Sequence, residues 1–367
     1  MSFHEPAPEL AAGPSPNAAG MDLPRLKALV ASLGESPFRA AQLHHGLYRM
    51  RWTAWEQFTN LSKALRTRLE REVRLAWPEL AESVRSEDGS TKHAFLLEDG
   101  SQVEGVHMPY GRRTTLCLSS QVGCAMGCTF CATGLMGIKR NLTPGEIAGQ
   151  VVTMLNAHGH GPDEAVNLVF MGMGEPLHNL DNLMAAFALL TDPAGLGIAP
   201  RRITLSTSGL VSGIQRLAGF KPRPRLALSL NATTDAYRST IMPVNRVWNL
   251  EALAAALKAF PLEHGERITL EYVLLKGVTD APEDGARLAA FAARFPSKVN
   301  LIPFNPHEGA GFEPPSEERI VELCGLLAGR GITVSVRRSR GQDVAGACGQ
   351  LVRQATRNRD EGDGDPD

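Results

Sequence analysis

From about residue 114 onward, short apolar runs alternate with longer runs of helical period, and no other feature of the chain restricts its fold as much. TLCLSS (115–120), NLVFMG (167–172), ITLSTS (203–208), RLALSL (225–230), ITLEYVLL (268–275), VNLIPF (299–304) and ITVSVR (332–337) read as strands rich in Leu, Val and Ile. Between most of them lie helix-like runs such as PGEIAGQVVTMLNAHG, DNLMAAFALLT and SEERIVELCGLLAG. Strands this apolar, joined by helical crossovers, form a parallel sheet covered by helices. About six such units predict an α/β fold, a partial (β/α)6-type barrel over residues 114–356.

Upstream, the period changes twice. LPRLKALVASLG, FRAAQLHHGLYRMR and LSKALRTRLEREVRLAW repeat apolar residues at three- and four-residue steps, predicting a helical accessory domain over 21–85. KHAFLLEDGSQVEGVHM then reads as a β-hairpin turning at Asp99-Gly100, an extension spanning 86–113. A Pro/Ala/Gly-rich leader (1–20) and an acidic tail (357–367) read as disordered. The leader has neither a basic start nor an apolar core, and no apolar stretch approaches ~18 residues, so the expectation is a cytoplasmic protein with no membrane span. In that compartment six cysteines point to metal or redox chemistry rather than to a disulfide framework.

A net charge of −1 rules out a whole-chain nucleic-acid footprint, yet residues 21–76 carry ten basic and five acidic side chains. Tyr48, Trp52 and Trp55 stand among Arg49 and Arg51, a composition suited to RNA backbone contact with base stacking. Lys139-Arg140-Asn141 and Arg337-Arg338-Ser339-Arg340 add charge near the expected active face. The plainer reading of both features is solvated helix surface and core aromatics.

Cys124, Cys128 and Cys131 are spaced C-x3-C-x2-C in QVGCAMGCTFCATG. Three thiolates on one loop can hold three irons of a four-iron cluster and leave the fourth open to a small molecule. Structural zinc is the alternative, but it needs a fourth ligand, and no C-x2-C or H-x3-H partner follows downstream. Inert core cysteines are the plainest reading. MGMGEPL (171–177) is not a dinucleotide fingerprint, because position 177 is Leu where a third glycine is needed. Its Gly172 and Gly174 allow close backbone approach to a ligand, and Glu175 offers a carboxylate for an ammonium group; otherwise it is a plain strand-to-helix turn. Polar and sulfur residues fall where a barrel builds its site: Cys124, Glu175, Ser206, Asn231, Asn305 and Cys348 all lie at or after strand ends.

CAMGCTFCATG followed by MGMGEPL resembles the radical S-adenosylmethionine superfamily. With TTLCLSSQVGC, RRITLSTSG, NLIPFNP, RGQDVAGACGQL and the N-terminal FRAAQLHHGLYR and FTNLSKALRTRLE, the resemblance narrows to the RlmN family of adenine carbon-2 RNA methyltransferases, over about residues 21–356. It implies a 4Fe-4S cluster on Cys124, Cys128 and Cys131, and two S-adenosylmethionine molecules per turnover. It implies cofactor binding by Gly174, Glu175, Ser206, Ser229, Leu230, Asn231 and Asn305. Cys348 matches the cysteine that is methylated and carries the carbon, Cys117 the resolving cysteine of a transient disulfide, and Glu104 the proton acceptor. The resemblance also implies 23S ribosomal RNA and certain transfer RNAs as substrates, a flavodoxin-type electron donor and a monomeric chain. Where many relatives read Ser-Leu-His this chain reads Ser-Leu-Asn (229–231), so a histidine acid–base role there is excluded.

The carrier assignment makes chemical sense. The amidine carbon of adenine is electrophilic and cannot attack a sulfonium methyl, whereas a thiolate can. Cys324, at an apolar helical position in VELCGLL, reads as core. The nearest other reading is the carbon-8 methyltransferase of the resistance type, which resembles Gly-Glu-Ala where this chain has Pro176 after Glu175. A non-catalytic, metal-containing RNA-binding protein is a third reading, and it leaves Cys117 and Cys348 unexplained.

Overall fold

The structure is a computed structural model that describes residues 15–111, 113–307 and 309–351. Its strands, in chain order, begin with β1 (Glu79–Arg85), β2 (Thr91–Leu96), β3 (Gln102–Tyr110) and β4 (Arg113–Cys117), then β5 (Gln121–Gly123) and β6 (Ile138–Asn141). β7 (Val166–Phe170), β8 (Ile203–Thr207), β9 (Arg225–Ser229), β10 (Ile268–Leu274), β11 (Ser297–Pro303) and β12 (Val334–Val336) follow. One sheet runs β1-β2-β3-β4-β7-β8-β9-β10-β11-β12, and β5-β6 form a separate ribbon. All seven apolar runs read from the sequence are strands, and from β4 to β12 every pairing in the large sheet is parallel.

The helices Pro144–Ala157, Leu180–Thr191, Val211–Ala218, Leu250–Ala259, Pro282–Ala292 and Glu317–Gly329 cross between successive parallel strands. Each buries an apolar stripe against the outside of the sheet, where Leu116, Leu168, Leu205, Leu228, Leu270 and Leu301 are fully buried. The first crossover shows how local sequence starts an element. Thr143 Oγ1 accepts from Glu146 N, the Glu146 side chain accepts from Thr143 N, and Pro144 opens the helix. Such a box stabilises a helix end by about 1 kcal/mol.

Two segment boundaries differ from the sequence reading. The stretch read as helical to residue 85 ends its last helix at Glu72 and carries β1, so the hairpin expected from 86 is a three-stranded antiparallel extension starting at Glu79. The leader read as disordered to residue 20 is ordered from residue 15: Ala18 N donates to Arg74 O at 2.8 Å and Ala18 is buried. Gly20 lies so close to the Pro144–Ala157 helix that an added Cβ would stand 2.3 Å from Gly145 Cα. Residues 1–14 and the acidic tail lie outside the described residues.

The N-terminal helices Leu23–Ser32, Phe38–His44 and Lys63–Glu72 share one continuous core with the barrel. That core takes the aromatics proposed for base stacking. Tyr48 is fully buried and donates its hydroxyl to Met21 O at 2.8 Å; Trp55 is buried and donates to Val73 O at 3.0 Å. Trp52 packs edge-on against Phe58. Arg51 is buried against His160 O, and Arg49 pairs with Asp163. Burial takes Tyr48, Trp55 and Arg51 away from base stacking and backbone contact; Arg25, Lys27 and Lys63 are exposed, and Arg71 and Arg74 are exposed and paired with Glu72 and Glu98.

Candidate active site

The β5-β6 ribbon clasps the three-cysteine loop. Gly123, at φ 76°, approaches Gly137 so closely that an added Cβ would lie 1.9 Å from its carbonyl oxygen, and Cys124 N donates to that same oxygen at 2.9 Å. Cys131 N donates to Cys128 O at 3.2 Å, Thr129 N to Ile241 O at 3.0 Å, and Cys131 precedes the short helix Ala132–Leu135. The three sulfurs line one cavity of about 920 Å³, part of it open to solvent. Burial, then the neighbouring Glu175 and Cys131, pushes the Cys124 thiol up to about 12; burial and the other two thiols raise Cys128 further. Three thiolates crowded in such a site require compensating positive charge. Among the described residues no three or more His, Cys, Asp or Glu side chains are gathered around a point where a single metal ion would sit. Three soft sulfurs around a larger space suit an iron–sulfur cluster better than zinc.

Opposite the sulfurs, strand ends supply polar groups. Gly172 packs where an added Cβ would meet Leu118 O at 2.7 Å, and Gly174, at φ 102°, where it would meet Gln121 N at 2.8 Å. Both positions therefore require glycine. Glu175 is buried; it accepts from Ser208 N (2.7 Å), Ser208 Oγ (2.8 Å) and Leu177 N (3.1 Å), while its own N–H donates to Gln121 Oε1. Burial raises its pKa, and those donors act in the opposite sense. Ser206, Ser229, Asn231 and Asn305 line the same cavity.

Asn231 occupies a left-handed conformation, φ 58°, that asparagine tolerates better than most residues. Its Oδ1 accepts from Val273 N at 3.0 Å. Leu230 faces away; it contributes only its backbone, donating to Glu271 O and accepting from Arg238 Nε, both at 2.9 Å. Arg238 is fully buried and also donates to Ser208 O, Ser229 O and Asn245 Oδ1.

A second chamber, inside the barrel, is lined by both Cys117 and Cys348, with Met171, Glu271 and Arg337. Cys348, Met171 and Glu271 also line the first cavity, so they form the wall between the two. Asn305 Nδ2 donates to Cys348 O (2.9 Å) and Ser339 Oγ (2.9 Å), and its Oδ1 accepts from Gln342 Nε2 (2.8 Å). On the other side Ala132 N, next to Cys131, donates to Gly349 O at 2.8 Å. Before reaching Cys348 the segment passes the β1-β2 turn, where Asp343 accepts from Ser86 Oγ and Glu87 N, and Asp88 accepts from Gly341 N.

Glu104, on β3, is buried and pairs with Lys92 at 3.3 Å; it lines neither chamber. All six cysteines are free thiols, and Cys324 packs partly buried against the core, as read.

The basic run after β12 has other uses than RNA contact. Arg337 points into the barrel, Arg338 pairs with Glu317, and Arg340 pairs with Asp88 and donates to Pro109 O. Arg140 is held by Asp99 and Glu146, while Lys139 is exposed. Sequence reasoning missed Glu271, Arg238 and Arg337 as site residues. The available signal was a single charge set in or beside an apolar run, as in ITLEYVLL.

Comparisons with known proteins point to one family. Residues 118–289 match the model for the radical SAM superfamily, and residues 16–75 match the ribosomal RNA large subunit methyltransferase N-terminal domain. The chain is 47% identical to the dual-specificity RNA methyltransferase RlmN of Anaeromyxobacter sp. (strain Fw109-5), over 98% of this chain and 94% of the relative. It is 46% identical to RlmN 2 of Myxococcus xanthus (strain DK1622), over 95% of this chain and 93% of the relative. Among solved structures it resembles a radical SAM methyltransferase from Sphaerobacter thermophilus, with TM-score 0.88 and 41% identity, over 92% of this chain and 99% of that one.

Proposed function

The chain belongs to the RlmN family of dual-specificity RNA methyltransferases, and from that premise we propose that it methylates carbon 2 of adenine in 23S ribosomal RNA and in a subset of transfer RNAs, with Cys348 as carbon carrier. Its cofactors are a 4Fe-4S cluster and S-adenosylmethionine. The observation that carries the reading is the shared chamber: Cys117 and Cys348 line one space, and Cys348 also lines the cavity of the three cluster cysteines. A structural metal site has no use for that pair.

When bound, the cluster and two cofactor molecules supply a methyl group and a hydrogen-abstracting radical. The chain's residues do the rest. Cys124, Cys128 and Cys131 hold three irons. Glu175 takes the cofactor's ammonium group, helped by the close approach that Gly174 permits, and Ser206, Ser229 and Asn231 complete the polar wall. The Cys348 sulfur accepts the methyl group and later bonds to the adenine through that carbon. Asn305 holds the Cys348 segment in place through its backbone carbonyl. The resemblance gives Glu104 the proton lost from the ring carbon, a role that requires it to leave its Lys92 pair and turn into the chamber. Cys117 then attacks the Cys348 sulfur: a sulfur–sulfur bond forms, and the carbon–sulfur bond breaks. Its electron pair stays on carbon, which takes up a proton.

The exposed basic groups of the N-terminal region meet the RNA backbone. A flavodoxin-type protein supplies electrons, and the chain works as a cytoplasmic monomer. No helix among the described residues is long and apolar enough to cross a membrane. The test is mass spectrometry of adenosines in ribosomal and transfer RNA from strains with and without this chain. 2-Methyladenosine in both RNA classes, lost on deletion, is the expected result; 8-methyladenosine would overturn the reading.

A further inference from the structure

We propose that Glu271 is a positioning residue: it holds the Arg337 guanidinium in the inner chamber beside Cys117, so that Cys117 can react as a thiolate. The inference rests on the release step described above and assigns it two residues that the reading does not use. Arg337 Nη1 lies 3.1 Å from Glu271 Oε1 and 3.1 Å from Met171 Sδ, and lines the chamber with both thiols. The other oxygen, Glu271 Oε2, accepts from Ser206 Oγ at 2.8 Å, so this carboxylate joins the cofactor wall to the thiol chamber.

The chemistry of Cys117 shows why a cation is needed. Cys117 is buried on β4, and burial, then Cys348, pushes its thiol up to about 12; Arg337 and the Met171 backbone N–H pull it down, and Glu271 raises it slightly. A buried thiol is mostly protonated at neutral pH and only the thiolate attacks sulfur, so a guanidinium held in the same chamber favours the reactive form. Of the other charges around the chamber, Arg338 is paired with Glu317, Arg340 with Asp88, and on the β3 side Glu104 with Lys92; Lys298, which is exposed, and Tyr110 also line the chamber. A guanidinium held in this chamber would be costly without a counter-charge, and Glu271 is that counter-charge.

The two roles open to Glu271 predict opposite signs. If it acts only as a nearby negative charge, Glu271→Gln makes Cys117 more reactive. If it positions Arg337, the same change lets the guanidinium leave, and Cys117 becomes less reactive. The experiment follows alkylation of Cys117 by iodoacetamide against pH in the full-length, cluster-loaded enzyme, read by peptide mass spectrometry. We expect Arg337→Met and Glu271→Gln each to slow alkylation about tenfold at neutral pH and to move the rate profile up by about one pH unit. Arg337→Lys restores most of the rate. Iron content and melting temperature serve as folding controls, and the lysine variant keeps the test decisive if methionine disturbs the fold.

In turnover with transfer RNA, Arg337→Met accumulates the protein–RNA thioether while Cys348 still becomes methylated. Faster alkylation in Glu271→Gln, or unchanged profiles in both variants, overturns the positioning role. A wild-type enzyme whose Cys348 is never methylated overturns the carrier reading instead, so the two failures are distinguishable.

Discussion

Gly123→Ala is the most informative single substitution, because it tests whether the β5-β6 clasp sets the cluster site. The new Cβ would stand 1.9 Å from Gly137 O, where real Cβ contacts stay beyond 3.0 Å, so the two backbones must part by about 1 Å. The 2.9 Å bond from Cys124 N to Gly137 O is lost with that movement. A left-handed alanine costs roughly 1–2 kcal/mol and the broken hydrogen bond about 1 kcal/mol, together about 2–3 kcal/mol. The ribbon stands outside the main sheet, so the penalty falls on local order rather than on the barrel. Iron–sulfur bonding tolerates only ~0.2 Å, so a 1 Å displacement of Cys124 empties the site.

The assay is anaerobic reconstitution with iron and sulfide counted per chain. Gly137→Ala is the control. Gly137 has φ 71° but no neighbour within 4 Å of an added Cβ, so that variant bears the backbone strain without the collision and keeps its cluster. A Gly123→Ala protein with the wild-type iron complement, or a Gly137→Ala protein that loses as much, would refute the reasoning.

Cys117→Ala accumulates a covalent protein–RNA adduct visible on denaturing gels, and turnover retained without an adduct removes Cys117 from the scheme. Arg238→Met removes the buried side-chain donor to Ser208 O and Ser229 O and one of two donors to Leu230 O, and lowers stability by roughly 3–5 kcal/mol in urea titrations; a loss below about 1 kcal/mol would contradict the role given to this arginine. Acid sensitivity comes from the back of the sheet, where burial first, then His158, lowers His93 to about 4 and His107 to about 3 from 6.5. The unfolded chain then binds protons better, so this stability is whole above about pH 6.5 and drains away as pH falls toward 4. The urea midpoint is expected to be lower at about pH 5 than at about pH 7.5, and a flat profile would falsify the assignment.

The parallel strands were legible because each carries Leu, Val or Ile at closely spaced positions, most of them buried under the crossover helices. β1 was not legible: ELAESVR is an edge strand with mostly exposed side chains, and nothing in it alternates between apolar and polar. The cysteine loop, Glu175, Ser206, Ser229, Asn231 and Asn305 were named from the sequence, and the structure collects them around one cavity. Tyr48 and Trp55 were misjudged because composition cannot say whether an aromatic beside an arginine faces water or a neighbouring helix. Glu271 and Arg337 are 66 positions apart, and only the sheet order brings them together. Asn305 was assigned to the cofactor, yet its amide is spent on the carrier segment, a backbone partnership no motif announces.

The strand order ends at β12 on one side and β1 on the other, and the Cys348 segment spans the gap between them on hydrogen bonds to the β1-β2 turn. The carrier is thus also the last stave of an unfinished cask. A fastening made of a few hydrogen bonds contributes modestly to the unfolding free energy but fixes the whereabouts of the sulfur. Damage along this joint, at Asp343 or Asp88, would pass unnoticed in a melting curve and appear as uncoupling: cofactor consumed, radical spent, and no carbon delivered.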